Sequence, residues 1–101
     1  MVNIPTNRLP TTPGEMLREE FLEPMGLTQQ QLADDIGVSY QRVNELINGK
    51  RGITTSTALR LAKYFNTTPD FWLNLQRAND IYQVLKKEAE QIDKIQPTNF
   101  I

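Results

Sequence analysis

The stretch from Thr28 to Arg51 constrains the fold of this chain more than any other part of it. Thr28 can cap a helix and Gln31 can reach back to the Thr28 amide, and apolar residues then recur at helical spacing. Gly37 interrupts this pattern where a turn between crossed helices needs a residue that tolerates positive φ. Ser39 can cap a second helix, which ends at an Asn-Gly pair. Two helices and a short connection make a helix-turn-helix.

The second helix of this motif divides into a buried stripe and a polar face. At about 100° per residue, Val43, Leu46 and Ile47 fall on one side, and polar side chains cover the other. These side chains can pair with base edges in a major groove, although a solvated polar face is the alternative interpretation. An acid at position 45 would be costly there unless it accepts from a cytosine amine or pairs with Arg42. The predicted base-reading residues are Tyr40, Gln41, Asn44 and Glu45.

The motif and its flanks together resemble a known family. QQLADDIGVSYQRVNELINGKRGIT resembles the helix-turn-helix of the phage-repressor (Cro/C1, or XRE) class. With PGEMLREEFLEPMGLTQQQLA before it and ITTSTALRLAKYFNTTPDFWLNLQ after it, the chain is similar to the HigA antitoxins, also known as virulence-associated protein I. This resemblance implies a dimeric DNA-binding protein that neutralises a HigB-like mRNA-cleaving toxin and represses its own operon through a near-palindromic operator.

The resemblance also implies where DNA phosphates are held. In the phage-repressor class, the positions that match Gln29, Lys50 and Arg51 hold phosphate, and charges in a short loop are free to make such contacts. The amides that open the helix after Thr28 would add to this clamp. The predicted phosphate-contacting residues are Thr28, Gln29, Ser39, Arg42, Lys50 and Arg51.

The rest of the chain predicts three further helices and no strands. A Thr-Pro start and a stop at Pro24 and Gly26 define the first, and Thr54 or Thr55 begins the fourth. We therefore predict an all-α, phage-repressor-like domain of five helices with an extended C-terminal helix. Its predicted boundaries are an N-terminal arm at 1–11, the domain at 12–93 with the helix-turn-helix at 28–48 and the C-terminal helix at 69–92, and a tail at 94–101.

The C-terminal helix carries an apolar seam with heptad spacing. At about 1.5 Å per residue it would be about 36 Å long, which exceeds what the core of a small domain needs. One interpretation is that its first residues complete the core and the rest frays. The interpretation we favour is dimerisation, with a groove for a toxin as the alternative, along Tyr82, Leu85, Ala89 and Ile92.

Composition excludes several classes of function. The 101 residues include no cysteine and no histidine, so thiolate and common zinc sites and Ser-His-Asp catalysis cannot be built. We expect no catalytic residue, no metal and no cofactor. No apolar run approaches the roughly 18 residues that a membrane span needs, so a cytoplasmic protein is expected.

Charge is unevenly distributed along the chain. Although the net charge is −1, residues 39–63 carry five basic side chains and one acidic, whereas residues 15–35 carry six acidic and one basic. The basic segment is suited to phosphate and the acidic segment to solvent or a basic partner protein. Two rival functions stay open, a stand-alone phage-type transcriptional regulator and a protein-interaction module with a degenerate helix-turn-helix.

Overall fold

A computed structural model describes residues 10–98 as five helices without strands. Helix α1 has three contiguous parts, α-helical Pro13–Met16, π-helical Leu17–Leu22 and α-helical Glu23–Met25; α2 is Gln29–Ile36, α3 Tyr40–Ile47, α4 Thr55–Phe65 and α5 Pro69–Asp93. The predicted all-α fold with five helices is confirmed. Most of the predicted arm and the last residues of the predicted tail lie outside the described residues.

Each of these five helices begins at a hydroxyl side chain that accepts from the backbone amide three residues later. In α2 the two bonds of the predicted capping box are 3.0 Å from the Gln31 amide to Thr28 Oγ1 and 2.9 Å from the Thr28 amide to Gln31 Oε1. Such a cap stabilises a helix by about 1 kcal/mol. The five capping residues are Thr12, Thr28, Ser39, Thr54 and Thr68.

The turn between α2 and α3 has the geometry that its sequence predicts. Gly37 has φ of 74° and ψ of 37°, a left-handed conformation that costs a residue with a Cβ about 1 to 2 kcal/mol. Its amide and that of Val38 both donate to the carbonyl of Ala33, at 3.0 Å each. Ala33 is fully buried, so α2 and α3 approach closely at this point.

Helix α1 does not end at the first of its two predicted stop residues, Pro24, but at the second, Gly26. It continues to Met25, and Gly26, with φ of 66°, ends it. A proline inside an α-helix removes one hydrogen bond and collides with the carbonyl four residues earlier. Here the turn before the proline is π-helical, and the Glu23 amide donates to the carbonyl of Arg18, five residues back. This wider, π-helical turn directly precedes Pro24, and the helix continues past the proline.

The core lies where all five helices meet. Leu17, Leu32, Leu61 and Trp72 are its largest fully buried side chains. Val43, Leu46 and Ile47 are buried as predicted, which fixes the orientation of α3 about its own axis. The polar face of α3 consequently points away from the core.

Helix α5 extends well beyond this core. It runs without interruption to Asp93, one residue past its predicted end. Within residues 10–98, no helix combines the length and the hydrophobicity that a membrane span requires.

Candidate nucleic-acid interface

Backbone packing holds α3 against the first turn of α1. A Cβ built on Gly14 would lie 2.1 Å from the carbonyl oxygen of Leu46 and 3.0 Å from the Cα of Ile47. Only a residue without a side chain permits this approach. The last turn of α3 therefore rests directly on the start of α1, and the buried side chains of α3 complete its support.

The four predicted base-reading residues lie along the outer side of α3, but their surroundings differ. Tyr40 is 47% exposed and Gln41 is also exposed, whereas Asn44 and Glu45 are half-buried. The first two are therefore open to a ligand from solvent. The other two are engaged by neighbouring side chains.

Asn44 connects the two helices of the motif. Its Nδ2 donates to Gln29 Oε1 on α2 at 3.0 Å, and its Oδ1 accepts from Asn48 Nδ2 at 3.1 Å. These two bonds orient the Asn44 amide and leave its second N–H and one lone pair of its oxygen for a ligand. Because Gln29 takes part through its oxygen, its NH2 group is left to donate to a phosphate.

Glu45 joins α3 to the loop that follows it. Its Oε1 accepts from Arg51 Nε at 2.9 Å and lies 2.9 Å from Arg51 Nη2 in an ion pair, and its Oε2 accepts from Gln41 Nε2 at 3.1 Å. The partner of this acid is therefore Arg51, and not Arg42, which the sequence suggested as one way to accommodate it. The chain reverses after α3 at Gly49, whose φ is 74°, and the loop brings Arg51 back to the carboxylate.

These hydrogen bonds predict how Glu45 titrates. The bond from Arg51, and next that from Gln41, lowers the pKa of the Glu45 carboxyl below its ordinary value. The contribution of these bonds to the stability of the fold is therefore complete above the ordinary glutamate pKa, and it is lost as the pH falls through the lowered pKa of Glu45. In an NMR titration, Arg51→Gln should raise the midpoint of Glu45 more than Gln41→Ala does. The opposite order would contradict the assignment of Arg51 as the main partner.

The predicted phosphate-contacting residues surround the ends of α2 and α3. Thr28 and Ser39 cap these helices, and Lys50 and Arg51 are exposed in the loop after α3. The first turns of α2, α3 and α4 contain no acidic residue, whereas those of α1 and α5 contain Glu15 and Asp70. The positive ends of the three central helices therefore keep their attraction for anions.

Comparisons with known proteins identify the family. A helix-turn-helix family profile matches residues 18–72. Antitoxin HigA-1 of Vibrio cholerae is 43% identical over 93 residues, which cover 91% of this chain and 87% of that protein. The chain belongs to the HigA family of helix-turn-helix proteins. The resemblance read from the sequence is thereby confirmed. An uncharacterised helix-turn-helix transcriptional regulator of Escherichia coli K12, YbaQ, is 52% identical over 77 residues, 76% of this chain and 68% of that protein.

Solved structures agree with this HigA-family assignment. A HigA-family addiction module antidote protein from Coxiella burnetii has a TM-score of 0.84 and 46% identity, covering 90% of this chain and all of that one. Pseudomonas aeruginosa antitoxin HigA, solved with the higBA promoter, has a TM-score of 0.83 and 37% identity, covering 87% and 97%. Both are similar to this chain over nearly all of its described length.

Sequence reasoning missed the support that α4 gives to the motif of this HigA-family chain. Arg60, which belongs to the basic segment, donates from Nη1 to the Ile36 carbonyl at 2.7 Å. Tyr64 donates its hydroxyl to Asp35 Oδ2 at 2.6 Å, and this bond raises the pKa of Tyr64. These contacts join residues 24 and 29 positions apart, and no local pattern signals them. Arg60 therefore also braces the turn between α2 and α3.

Proposed function

We propose that this chain is a sequence-specific DNA-binding antitoxin of a type II toxin-antitoxin system, which neutralises a HigB-like mRNA-cleaving toxin and represses its own operon. The observation that carries the proposal is the outer face of α3. It presents an exposed Gln41. The same part of the domain contains the starts of α2 and α3, whose first turns have no acidic residue, and the loop of Lys50 and Arg51. The promoter DNA with which Pseudomonas aeruginosa HigA was solved supports the choice of ligand. An operator as target would place the protein in the cytoplasm.

In the proposed complex, α3 lies in the major groove. Gln41 is suited to a bidentate contact with adenine, and Tyr40 lies beside it for a neighbouring base edge or a thymine methyl. Asn44 and Glu45 complete the same face. Thr28, Gln29, Ser39, Arg42, Lys50 and Arg51 hold the flanking phosphates, which fix position but not sequence.

The proposed protein is a homodimer that uses the second half of α5. Leu85 is buried apart from the main core cluster, and Tyr82, Ala89 and Ile92 are half-buried on the same side of the helix. Ile81 and Val84 next to them are 49% and 44% exposed, which leaves apolar surface for a partner. A two-fold dimer would place its α3 helices about one DNA turn apart and require a near-palindromic operator.

Selection of bound duplexes from a random DNA pool, followed by titration across salt concentrations, tests the proposal. A near-palindromic consensus with half-sites about ten base pairs apart and a steep salt dependence is the expected result. Absence of both would remove the DNA function and favour a protein-interaction module. Co-purification with the product of the neighbouring gene then separates an antitoxin from a stand-alone regulator. The latter candidate is supported by the 52% identity to a protein named only as a transcriptional regulator.

Two substitutions separate base contacts from phosphate contacts. Gln41→Ala should cost about 1 to 3 kcal/mol at one base pair of each half-site and relax the consensus there. Arg51→Ala should weaken binding to all duplexes alike and reduce the salt slope by about one per subunit. Gln30→Ala is the matched control, because Gln30 is an exposed glutamine on α2 that also donates to an acid four residues later. Equal losses for Gln41→Ala and Arg51→Ala on every duplex would contradict this division.

A further inference from the structure

We infer that Glu45 determines specificity as a positioning residue, which orients the amide of Gln41 and restrains Arg51, and does not read a base itself. This inference rests on the proposed DNA-binding function. Its structural basis is that one carboxylate receives the side chain of a base-reading candidate on one oxygen and that of a phosphate-contacting candidate on the other.

The chemistry of the carboxylate fixes the orientation of the Gln41 amide. An ionised carboxylate can only accept hydrogen bonds, so the group that faces Glu45 must be the NH2 of Gln41 and not its carbonyl. The Gln41 carbonyl oxygen and its second N–H are then left for a ligand. An adenine requires this arrangement, because it offers an N6 donor and an N7 acceptor in the major groove. Glu45 thus selects one of the two amide orientations before DNA arrives.

The same carboxylate limits what Arg51 can do. Two of its nitrogens, Nε and Nη2, are held by Glu45, and the pair of charges cancels at the edge of the α3 face. Phosphate contacts attract every DNA sequence equally, so a restrained arginine reduces non-specific binding. The loop that carries Arg51 is itself fixed to the end of α3, because the Lys50 amide donates to the backbone carbonyl of Glu45 at 2.9 Å.

Partial burial and the neighbours on both oxygens also argue against direct reading by Glu45. The Glu45 side chain is 27% exposed, less than the 43% of Arg51, and each of its oxygens already accepts from a neighbour. A cytosine amine would therefore have to approach a carboxylate that already has Arg51 on one oxygen and Gln41 on the other. Its position is therefore better suited to holding Gln41 and Arg51 than to contacting a base.

Glu45→Gln tests this inference directly, because an amide at this position can donate or accept and tolerates both orientations of Gln41. The duplex selected by the wild-type protein and a scrambled duplex of the same composition are the two probes. The ratio of their affinities should fall about tenfold or more, and the consensus should broaden at the base pair that Gln41→Ala affects. Affinity for the scrambled duplex should rise, because Arg51 is no longer restrained and the carboxylate that repels phosphate is removed. Glu45→Ala should also lower the affinity ratio and raise the affinity for the scrambled duplex.

Asp34→Asn is the matched control. Asp34 accepts from Gln30 Nε2 at 2.8 Å, an equivalent pair on α2, so this variant removes the same charge from the same kind of contact. It should leave the consensus unchanged. Arg51→Gln should lower the salt slope while keeping the consensus, because Gln41 stays bound to Glu45.

Three results would overturn the inference. If Glu45→Gln keeps the wild-type consensus and affinity ratio, Glu45 does not set specificity. If it loses discrimination only at a cytosine that Gln41→Ala does not affect, Glu45 is itself a reader. Both results would leave DNA binding intact, whereas a wild-type protein that selects no duplex would refute the proposed function together with the inference.

Discussion

Trp72→Ala is expected to destabilise the fold by about 3 to 5 kcal/mol. Trp72 is fully buried, and its ring centroid lies 5.0 Å from that of Phe71 and 5.1 Å from that of Phe21. Its Nε1 donates to Thr67 Oγ1 at 2.9 Å, which fixes the start of α5 to the connection that follows α4. Because domains of this kind are stable by only about 5 to 15 kcal/mol, the loss is a large part of the total.

Urea denaturation followed by circular dichroism measures this effect. Trp72→Phe is a suitable control, since it keeps an aromatic ring in the cluster and removes only part of the volume and the bond to Thr67. It should cost clearly less than the alanine variant. A loss below about 1 kcal/mol for Trp72→Ala would show that this aromatic cluster does not hold α5 on the domain.

Gly14→Ala is expected to impair both stability and DNA binding. The new Cβ would collide with the backbone of Leu46 and Ile47, which cannot rotate away as a flexible side chain could. Overpacking of this kind costs about 1 to 3 kcal/mol, occasionally more, and here the strain is relieved only by separating α1 from α3. The proposed recognition helix would then shift relative to α2, and binding to the selected operator should weaken.

Gly26→Ala is the control that separates the loss of stability from the loss of DNA binding. Gly26 has φ of 66°, and no atom lies within 4 Å of the point that a Cβ would occupy, so alanine there should cost about 1 kcal/mol through backbone strain alone. Thermal denaturation should show that both variants are destabilised. Anisotropy titration at a temperature where both are folded should show weaker operator binding only for Gly14→Ala. Equal operator affinities would contradict the role of this contact in placing α3.

Local features of the fold were predictable, because they depend on residues a few positions apart. The capping box of Thr28 and Gln31 and the left-handed Gly37 follow from side-chain chemistry within one turn of chain. The buried stripe of α3 follows from helical periodicity. The passage of α1 through Pro24 was not predictable from the same rules, because it depends on a local change of hydrogen-bond spacing.

The internal organisation of the candidate interface could not be predicted. Asn44 and Gln29 are 15 positions apart, and their contact depends on the angle at which α2 and α3 cross. The pairing of Glu45 with Arg51 depends on the path of a loop, whereas the sequence suggested only Arg42, on the same helix, as a possible partner. Helical periodicity shows which residues share a face, but it does not show which of them are already bound to one another.

The choice of hydroxyl caps for α2 and α3 has a consequence for the evolution of this domain. Aspartate caps a helix as well as serine or threonine does, and its charge would add about 0.3 to 1 kcal/mol through the helix dipole. At Thr28 or Ser39, the same charge would repel the phosphates that the proposed function brings to these helix starts. Selection for stability alone would favour the acid, whereas selection for operator affinity would retain the neutral cap. These two positions are therefore where a more thermostable variant is most easily obtained at the expense of repression.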